Sequence, residues 1–187
     1  MGAVGVLALQ GDVREHLAVL AELEVTGRPV RTPEELAVVD ALVIPGGEST
    51  TIGKLARRFG LFDPLRARIE AGMPVYGTCA GLIFLASAIT EGDQPLLGVL
   101  DVVVKRNAFG RQNESFETDL EVTGLDRPFR AVFIRAPWIE KTGAEVEVLA
   151  SVEDHPVMVR QGRIMASSFH PELTGDTRLH RMFIETI

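Results

Sequence analysis

The chain has a single cysteine in 187 residues. It therefore closes no disulfide on itself and cannot supply a CxxC metal pair. If that cysteine matters, it matters as a thiol, which suits a reducing compartment. Long apolar runs are missing too: nothing approaches the ~18 consecutive apolar residues of a membrane span. Met1-Gly2-Ala3-Val4 places no basic stretch ahead of an apolar one, so no secretory signal is expected and the chain is read as cytoplasmic. Positive charge is in short supply, with 19 lysines and arginines against 26 acidic residues and a net charge of −7. Such a chain is a poor electrostatic match for nucleic acid or an anionic membrane. The four histidines show no clustered ligand spacing, so no metal site is expected. Repeats, low-complexity tracts and an obvious linker are also absent, and the length fits one domain over 1–187.

What is present alternates between strand and helix. Residues 3–9 form a continuous apolar run, the pattern of a strand buried on both faces. Asp12 is placed to cap a helix carrying Val13, Leu17, Leu20 and Leu23. Val30 lies in a short second strand, and Thr32-Pro33-Glu34-Glu35 reads as a helix start. A third strand covers 41–44, helical segments cover about 50–71, and a fourth strand runs from Pro74 to Gly77-Thr78-Cys79. An apolar helix with Leu82, Ile83, Leu85 and Ala86 follows. The second half reads as strands at 98–105, 117–122, 129–134, 146–152 and 157–168, the last turning at Gln161-Gly162, before a helix from about Asp176. This order predicts an α/β fold of three layers, a mostly parallel central sheet flanked by helices.

In open α/β sheets, sites form outside the carboxyl ends of the strands. Three motifs fall there. Gly77-Thr78-Cys79-Ala80-Gly81 has the strand–turn–helix layout of a nucleophile elbow, with cysteine as the nucleophile. A helix N-terminus favours thiolate over thiol, although a lone cysteine is also a common small core residue. In Phe169-His170-Pro171-Glu172-Leu173, His170 is a candidate base and acid. Residues two apart in an extended segment project to one side, so Glu172 can orient the ring. Alone, this motif also fits a surface loop before a helix. Pro45-Gly46-Gly47-Glu48-Ser49-Thr50 exposes backbone N–H groups able to hold an oxyanion, or it is an ordinary strand-to-helix turn. It has no P-loop lysine and is not G-x-G-x-x-G, so nucleotide binding is not indicated. The remaining histidines are assigned no role: His16 on a polar helix face, His155 in a turn before a proline, His180 on the last helix.

Taken together, these motifs resemble the triad-type, class I glutamine amidotransferases. Further segments narrow the resemblance to the glutaminase subunits of pyridoxal 5′-phosphate synthases. They are Leu7-Ala8-Leu9-Gln10-Gly11-Asp12-Val13-Arg14-Glu15-His16, Arg106-Asn107 with Phe109-Gly110-Arg111-Gln112, Phe133-Ile134-Arg135-Ala136-Pro137, and Ser168 through Leu173. The match spans nearly the whole chain. It implies Cys79 as nucleophile with His170 and Glu172 as partners. It implies that Gly47, Glu48, Ser49, Arg106, Ile134 and Arg135 hold L-glutamine, and that the Gly47 and Ala80 amides form the oxyanion hole. It further implies no cofactor. The implied partner is a synthase subunit of (β/α)₈-barrel fold that receives ammonia through a tunnel, with Gln10 near that interface.

Three other readings share parts of this pattern. One is a glutaminase serving another synthase, such as one in histidine or anthranilate biosynthesis. Another is a cysteine peptidase or γ-glutamyl hydrolase on a similar sheet. The third is a binding module with a vestigial site. The Gln10-Gly11-Asp12 and Arg106 segments argue against the first.

Overall fold

The computed structural model describes residues 2–109 and 115–187. The Gly110-Arg111-Gln112 part of the motif noted above lies outside them. In chain order the first half gives β1 (Val4–Leu7), α1 (Val13–Glu22), β2 (Gly27–Val30), α2 (Pro33–Ala37), β3 (Ala41–Ile44), α3 (Ser49–Arg58), α4 (Phe62–Glu70), β4 (Val75–Thr78) and α5 (Ala80–Leu85). The second half gives β5 (Ala86–Ile89), β6 (Leu100–Lys105), β7 (Ser115–Leu120), β8 (Phe129–Ile134), β9 (Trp138–Thr142), β10 (Glu147–Val152), β11 (His155–Gln161) and β12 (Ile164–Ser167). A single 3₁₀ turn (Pro171–Leu173) and α6 (Arg178–Ile184) complete the chain.

The central sheet has seven strands in the order β2-β1-β3-β4-β12-β11-β10. Pairing is parallel from β2 through β12 and antiparallel at β12-β11 and β11-β10. Its faces follow from strand alternation. Ala41, Val43 and Tyr76 point to one side, where Leu20 of α1 and Leu179 and Phe183 of α6 cover them. Leu42, Ile44 and Val75 point to the other, against Leu36 of α2, Ile52 of α3, Leu65 of α4 and Leu82 of α5. Burial of each such aliphatic side chain is worth roughly 1.5–3 kcal/mol, which fixes the register of the parallel core. The expected three-layer α/β arrangement is therefore the observed one.

Two smaller sheets lie outside this frame: β5-β6-β9, and the β7-β8 pair. Neither β5 nor β9 is expected from the sequence. The Ala-Ser-Ala start of β5 continues an apolar helical run, so the expected helix through Ala86 in fact ends at Leu85. Strand β9 buries only Ile139 and is exposed and polar from Glu140 on, too little to create a pattern. The first strand is shorter than the 3–9 run. After Leu7 the chain makes one more ladder bond, from the Ala8 amide to the Val30 carbonyl at 2.7 Å, and then turns away toward Gln10. The segments that matter all leave the same edge. Gln10 to Asp12 follow β1, Gly46 to Ser49 follow β3, Cys79 follows β4, and His170 to Glu172 follow β12.

Candidate active site

Cys79 sits between β4 and α5 with φ +48°, a left-handed conformation that non-glycine residues rarely adopt. Its backbone amide donates to the Ser167 carbonyl at 2.8 Å, which ties the elbow to β12. The flanking glycines are there for space. A Cβ on Gly81 would lie 2.1 Å from the Ile44 carbonyl oxygen, and one on Gly77 would lie 2.7 Å from the Gly81 backbone. Only glycine lets the turn pack this closely on β3, so the elbow is a consequence of those two residues.

His170 is nearly buried, and its amide donates to the Val132 carbonyl of β8 at 2.9 Å. Its Nδ1 donates to Glu172 Oε1 at 2.7 Å. The contact is the expected one, but the geometry is not an extended segment. Pro171 starts a 3₁₀ turn, and that turn swings Glu172 back toward the ring. Asp12 Oδ2 stands 3.3 Å from the same Nδ1. Burial works against a charged His170, yet hydrogen bonds with Asp12, Cys79 and Glu172 outweigh it and push the ring up to about 12. Glu172 is raised by its own burial, partly offset by its bond to His170. Asp12, His170 and Glu172 bring ligand-type atoms within 4.8 Å of one another. The nitrogen involved is the one already bonded to Glu172, so the trio is a histidine between two carboxylates.

The turn after β3 packs against the segment after β1. Gln10 Oε1 accepts the Glu48 amide at 2.7 Å, and the Asp12 amide donates to the Gly46 carbonyl at 3.1 Å. A side chain at Gly46 or Gly47 would displace its neighbours. A Cβ on Gly46 would fall 2.4 Å from His170 Cε1, and one on Gly47 2.4 Å from Gln10 Oε1. Glu48 caps α3, accepting from the Thr50 amide at 3.2 Å, the Thr51 amide at 2.8 Å and the Thr51 hydroxyl at 2.8 Å. Burial alone would raise its carboxyl, but these bonds bring it below the ordinary value. Arg106 Nη2 stands 3.5 Å from Glu48 Oε1. The Ser49 hydroxyl donates to Gln94 Oε1 at 3.1 Å, a partner the sequence did not suggest.

One cavity of about 380 Å³ gathers these elements. Cys79, Ala80 and His170 line it, as do Gly47, Glu48, Ser49, Arg106, Ile134, Arg135 and Gln10. Every residue singled out in the sequence is on its wall except Glu172, which stands behind His170. Asp12, Ile83, Asn107 and Leu173 line it as well and were not anticipated. Asp12 precedes α1 as a cap residue but makes no capping bond with its side chain, which reaches His170 instead.

The chain is similar to known proteins over nearly its whole length. The model of the SNO glutamine amidotransferase family matches residues 6–187. The chain belongs to that family. Among its relatives in this glutamine amidotransferase family is the pyridoxal 5′-phosphate synthase subunit PdxT of Streptomyces coelicolor. It is 61% identical over 187 residues, covering 98% of this chain and 93% of that protein. The protein of the same name from a Parafrankia species is 62% identical, covering 98% and 92%. A crystal structure described as a glutamine amidotransferase superposes with TM-score 0.95 at 58% identity, covering 99% of this chain and 98% of that one. The structure of PurLQS from Thermotoga maritima reaches TM-score 0.72 at 16% identity, covering 99% of each chain, which shows a shared fold.

The other histidines depart from expectation. His16 does not lie on a polar face: it is fully buried, as is His180. Asp12, His16 and Leu20 are spaced by four, so α1 presents all three on its inner side. His155 does not sit in a turn; it opens β11 and stacks on Trp138, with ring centroids 3.6 Å apart.

Proposed function

We propose that this chain is the glutaminase subunit of a pyridoxal 5′-phosphate synthase. It hydrolyses L-glutamine to L-glutamate and ammonia, and the ammonia passes to a (β/α)₈-barrel synthase subunit. The observation that carries the chemistry is a cysteine at a glycine-flanked elbow and His170, backed by the buried Glu172, on one cavity of about 380 Å³. Family membership and relatives about 60% identical over nearly their whole length support the assignment. The whole of 1–187 then acts as one glutaminase domain. A single free thiol suits the reducing cytoplasm. No helix among the described residues is long and apolar enough to cross a membrane.

In this reading the proton rests on His170, and Cys79 attacks the side-chain amide carbon of glutamine as thiolate. The Gly47 and Ala80 amides bind the resulting oxyanion, a contribution of roughly 3–4 kcal/mol per donor in comparable sites. His170 gives its proton to the departing nitrogen, ammonia leaves, and a γ-glutamyl thioester remains. Water then attacks the thioester as His170 takes its proton. The C–S bond breaks, glutamate is released, and Cys79 and His170 return to their starting state. In this reading Gly47, Glu48, Ser49, Arg106, Ile134 and Arg135, all on the cavity wall, hold the glutamine, with Arg106 suited to its carboxylate. In the same reading Gln10, which lines the cavity and accepts the Glu48 amide, faces the synthase.

The test is glutamate release from L-glutamine with and without the barrel synthase subunit. Stimulation by the partner that is lost in Cys79→Ala is the expected result. Turnover that persists in Cys79→Ala sinks the mechanism, and activity indifferent to the synthase points to a different ammonia acceptor.

A further inference from the structure

Behind the pair that faces the cavity lies a second layer of buried polar groups, and the mechanism above uses none of it. His16 Nδ1 and His180 Nε2 are 2.9 Å apart. His16 Nε2 is 3.2 Å from Thr78 Oγ1 and 3.5 Å from Glu172 Oε2. Both histidines are fully buried, as is the side chain of Glu172. Glu172 Oε2 has no hydrogen-bond partner among the described residues, and neither has His180 Nδ1.

The two rings share one hydrogen between them, and the surroundings decide where it sits. If His16 donated from Nδ1, its bare Nε2 lone pair would face a carboxylate oxygen. His180 would then carry a buried Nδ1–H with no acceptor. If His180 donates from Nε2, His16 carries its hydrogen on Nε2, between Thr78 Oγ1 and Glu172 Oε2. The orphan is then only an acceptor nitrogen, which costs less than an orphan donor or a lone pair against an anion. Burial holds both rings below the ordinary histidine range, so each is neutral with one N–H to place.

We propose that His16 is a positioning residue for the triad: its Nε2–H, directed by His180, faces the outer oxygen of Glu172 and keeps the inner oxygen on His170 Nδ1. The proposal rests on the glutaminase reading above and deepens it. Without this donor, Glu172 would hold one oxygen on His170 and bury the other beside a bare ring. The carboxyl group would then turn or take up a proton, and a protonated carboxyl is a weaker acceptor for His170. The groups that face Glu172 are His170 from its own turn, Asp12 and His16 from the α1 side, and Tyr76 from β4. Those that face His16 are Thr78, His170, His180 and Glu172.

The experiment uses the complex with the barrel synthase and compares His16→Leu with His16→Gln, whose amide nitrogen can reach the place of Nε2. His16→Leu is expected to lower kcat for glutamine hydrolysis by about 10- to 100-fold with KM unchanged, as for a buried carboxylate oxygen left with no N–H facing it. The acid limb of its kcat–pH profile moves to higher pH, and His16→Gln brings both effects back toward wild type. A purely packing role would lower thermal stability in His16→Leu and leave the acid limb in place, and that result overturns the proposal. Imidazole ¹⁵N spectra of the wild-type chain test the same point without any variant. A neutral His16 with its proton on Nε2 supports the proposal, and a proton on Nδ1 overturns it. Failure of the wild-type complex to hydrolyse glutamine overturns the glutaminase reading itself. Normal wild-type turnover with an unmoved acid limb in His16→Leu overturns the proposal alone.

Discussion

Asp12 and Glu172 compete for one nitrogen: Oδ2 of the first stands 3.3 Å and Oε1 of the second 2.7 Å from His170 Nδ1. Only one hydrogen is available there, and the shorter, fully buried contact takes it. Asp12 is about a third exposed and adds negative charge beside the ring instead of a full bond. Asp12→Asn should therefore cost only a few-fold in kcat, in keeping with partly exposed ion pairs worth about 0.2–1 kcal/mol. Because Asp12 helps hold the proton on His170, the alkaline limb of the kcat–pH profile should move to lower pH. A loss as large as that of a Glu172 variant, measured as glutamate release by the synthase complex, would make Asp12 an equal partner in the triad.

The ranking within the triad follows from contact. His170 lines the cavity, where the proposed mechanism has it exchange protons with substrate and water, whereas Glu172 bonds to His170 Nδ1 and stands off the cavity wall. Cys79→Ala should abolish glutamine hydrolysis while leaving synthase binding intact. Glu172→Gln should slow turnover less than His170→Asn does, because it keeps an acceptor oxygen for the ring. Single-turnover formation of the thioester in each variant checks the order, and a reversal would reassign the two roles.

Gly46 offers a test of spacing without replacing any reacting group. A methyl there would lie 2.4 Å from His170 Cε1 and 2.9 Å from Asp12 Oδ2. Gly46→Ala must push the imidazole off its line to Cys79, and misplacement by about 1 Å can cost about 100-fold in rate. The expected outcome is a folded protein that still binds the synthase, with kcat down by about that factor. Unchanged kcat would mean that the His170 ring can yield without penalty.

Where the chain is buried on both sides, its sequence is easy to read. The runs at β1, β3 and β4 are buried throughout, and all but Thr78 carry apolar or aromatic side chains or none, because helices cover both faces of the sheet, and the chemistry stands at their ends. Cys79 and the Gly46-Gly47 turn are legible for the same reason. Close backbone packing demands glycine, and glycine is visible in sequence. Strands β5 and β9 each bury a single residue, Ala86 and Ile139, and so lack a pattern. His16 is misread because a polar residue on a helix is normally solvated. Its burial becomes apparent only when α1 meets α6 through the 2.9 Å contact with His180, 164 residues away. Asp12 looks like a cap because caps are local, whereas its actual partner, His170, lies across the sheet edge.

The buried histidine pair also has a consequence for acid stability. His180 is depressed by burial to about 4, and His16 is depressed in the same direction, chiefly by burial. In the unfolded chain both titrate near the ordinary value of about 6.5. Between these limits the unfolded state binds protons that the folded state refuses. The contribution is therefore fully present above about pH 6.5 and is lost as pH falls toward 4, by up to about 1.4 kcal/mol per pH unit for each histidine. His170, with a folded value of about 12, is protonated in both states well below pH 6.5 and adds no slope there; between about pH 7.5 and 6.5 it gains stability on acidification and opposes part of the loss. Glu172, raised by burial, gains relative stability on acidification and opposes part of the loss. His180→Phe keeps a ring against Tyr76 and removes one of the two titrating groups. Thermal melts at about pH 7.5 and about pH 5 should show a smaller acid-induced drop in Tm for the variant than for wild type, by the share of one histidine. Equal drops in the two proteins would mean that His180 takes up its proton without unfolding the chain, and that the pocket between α1 and α6 holds charge more readily than its burial implies.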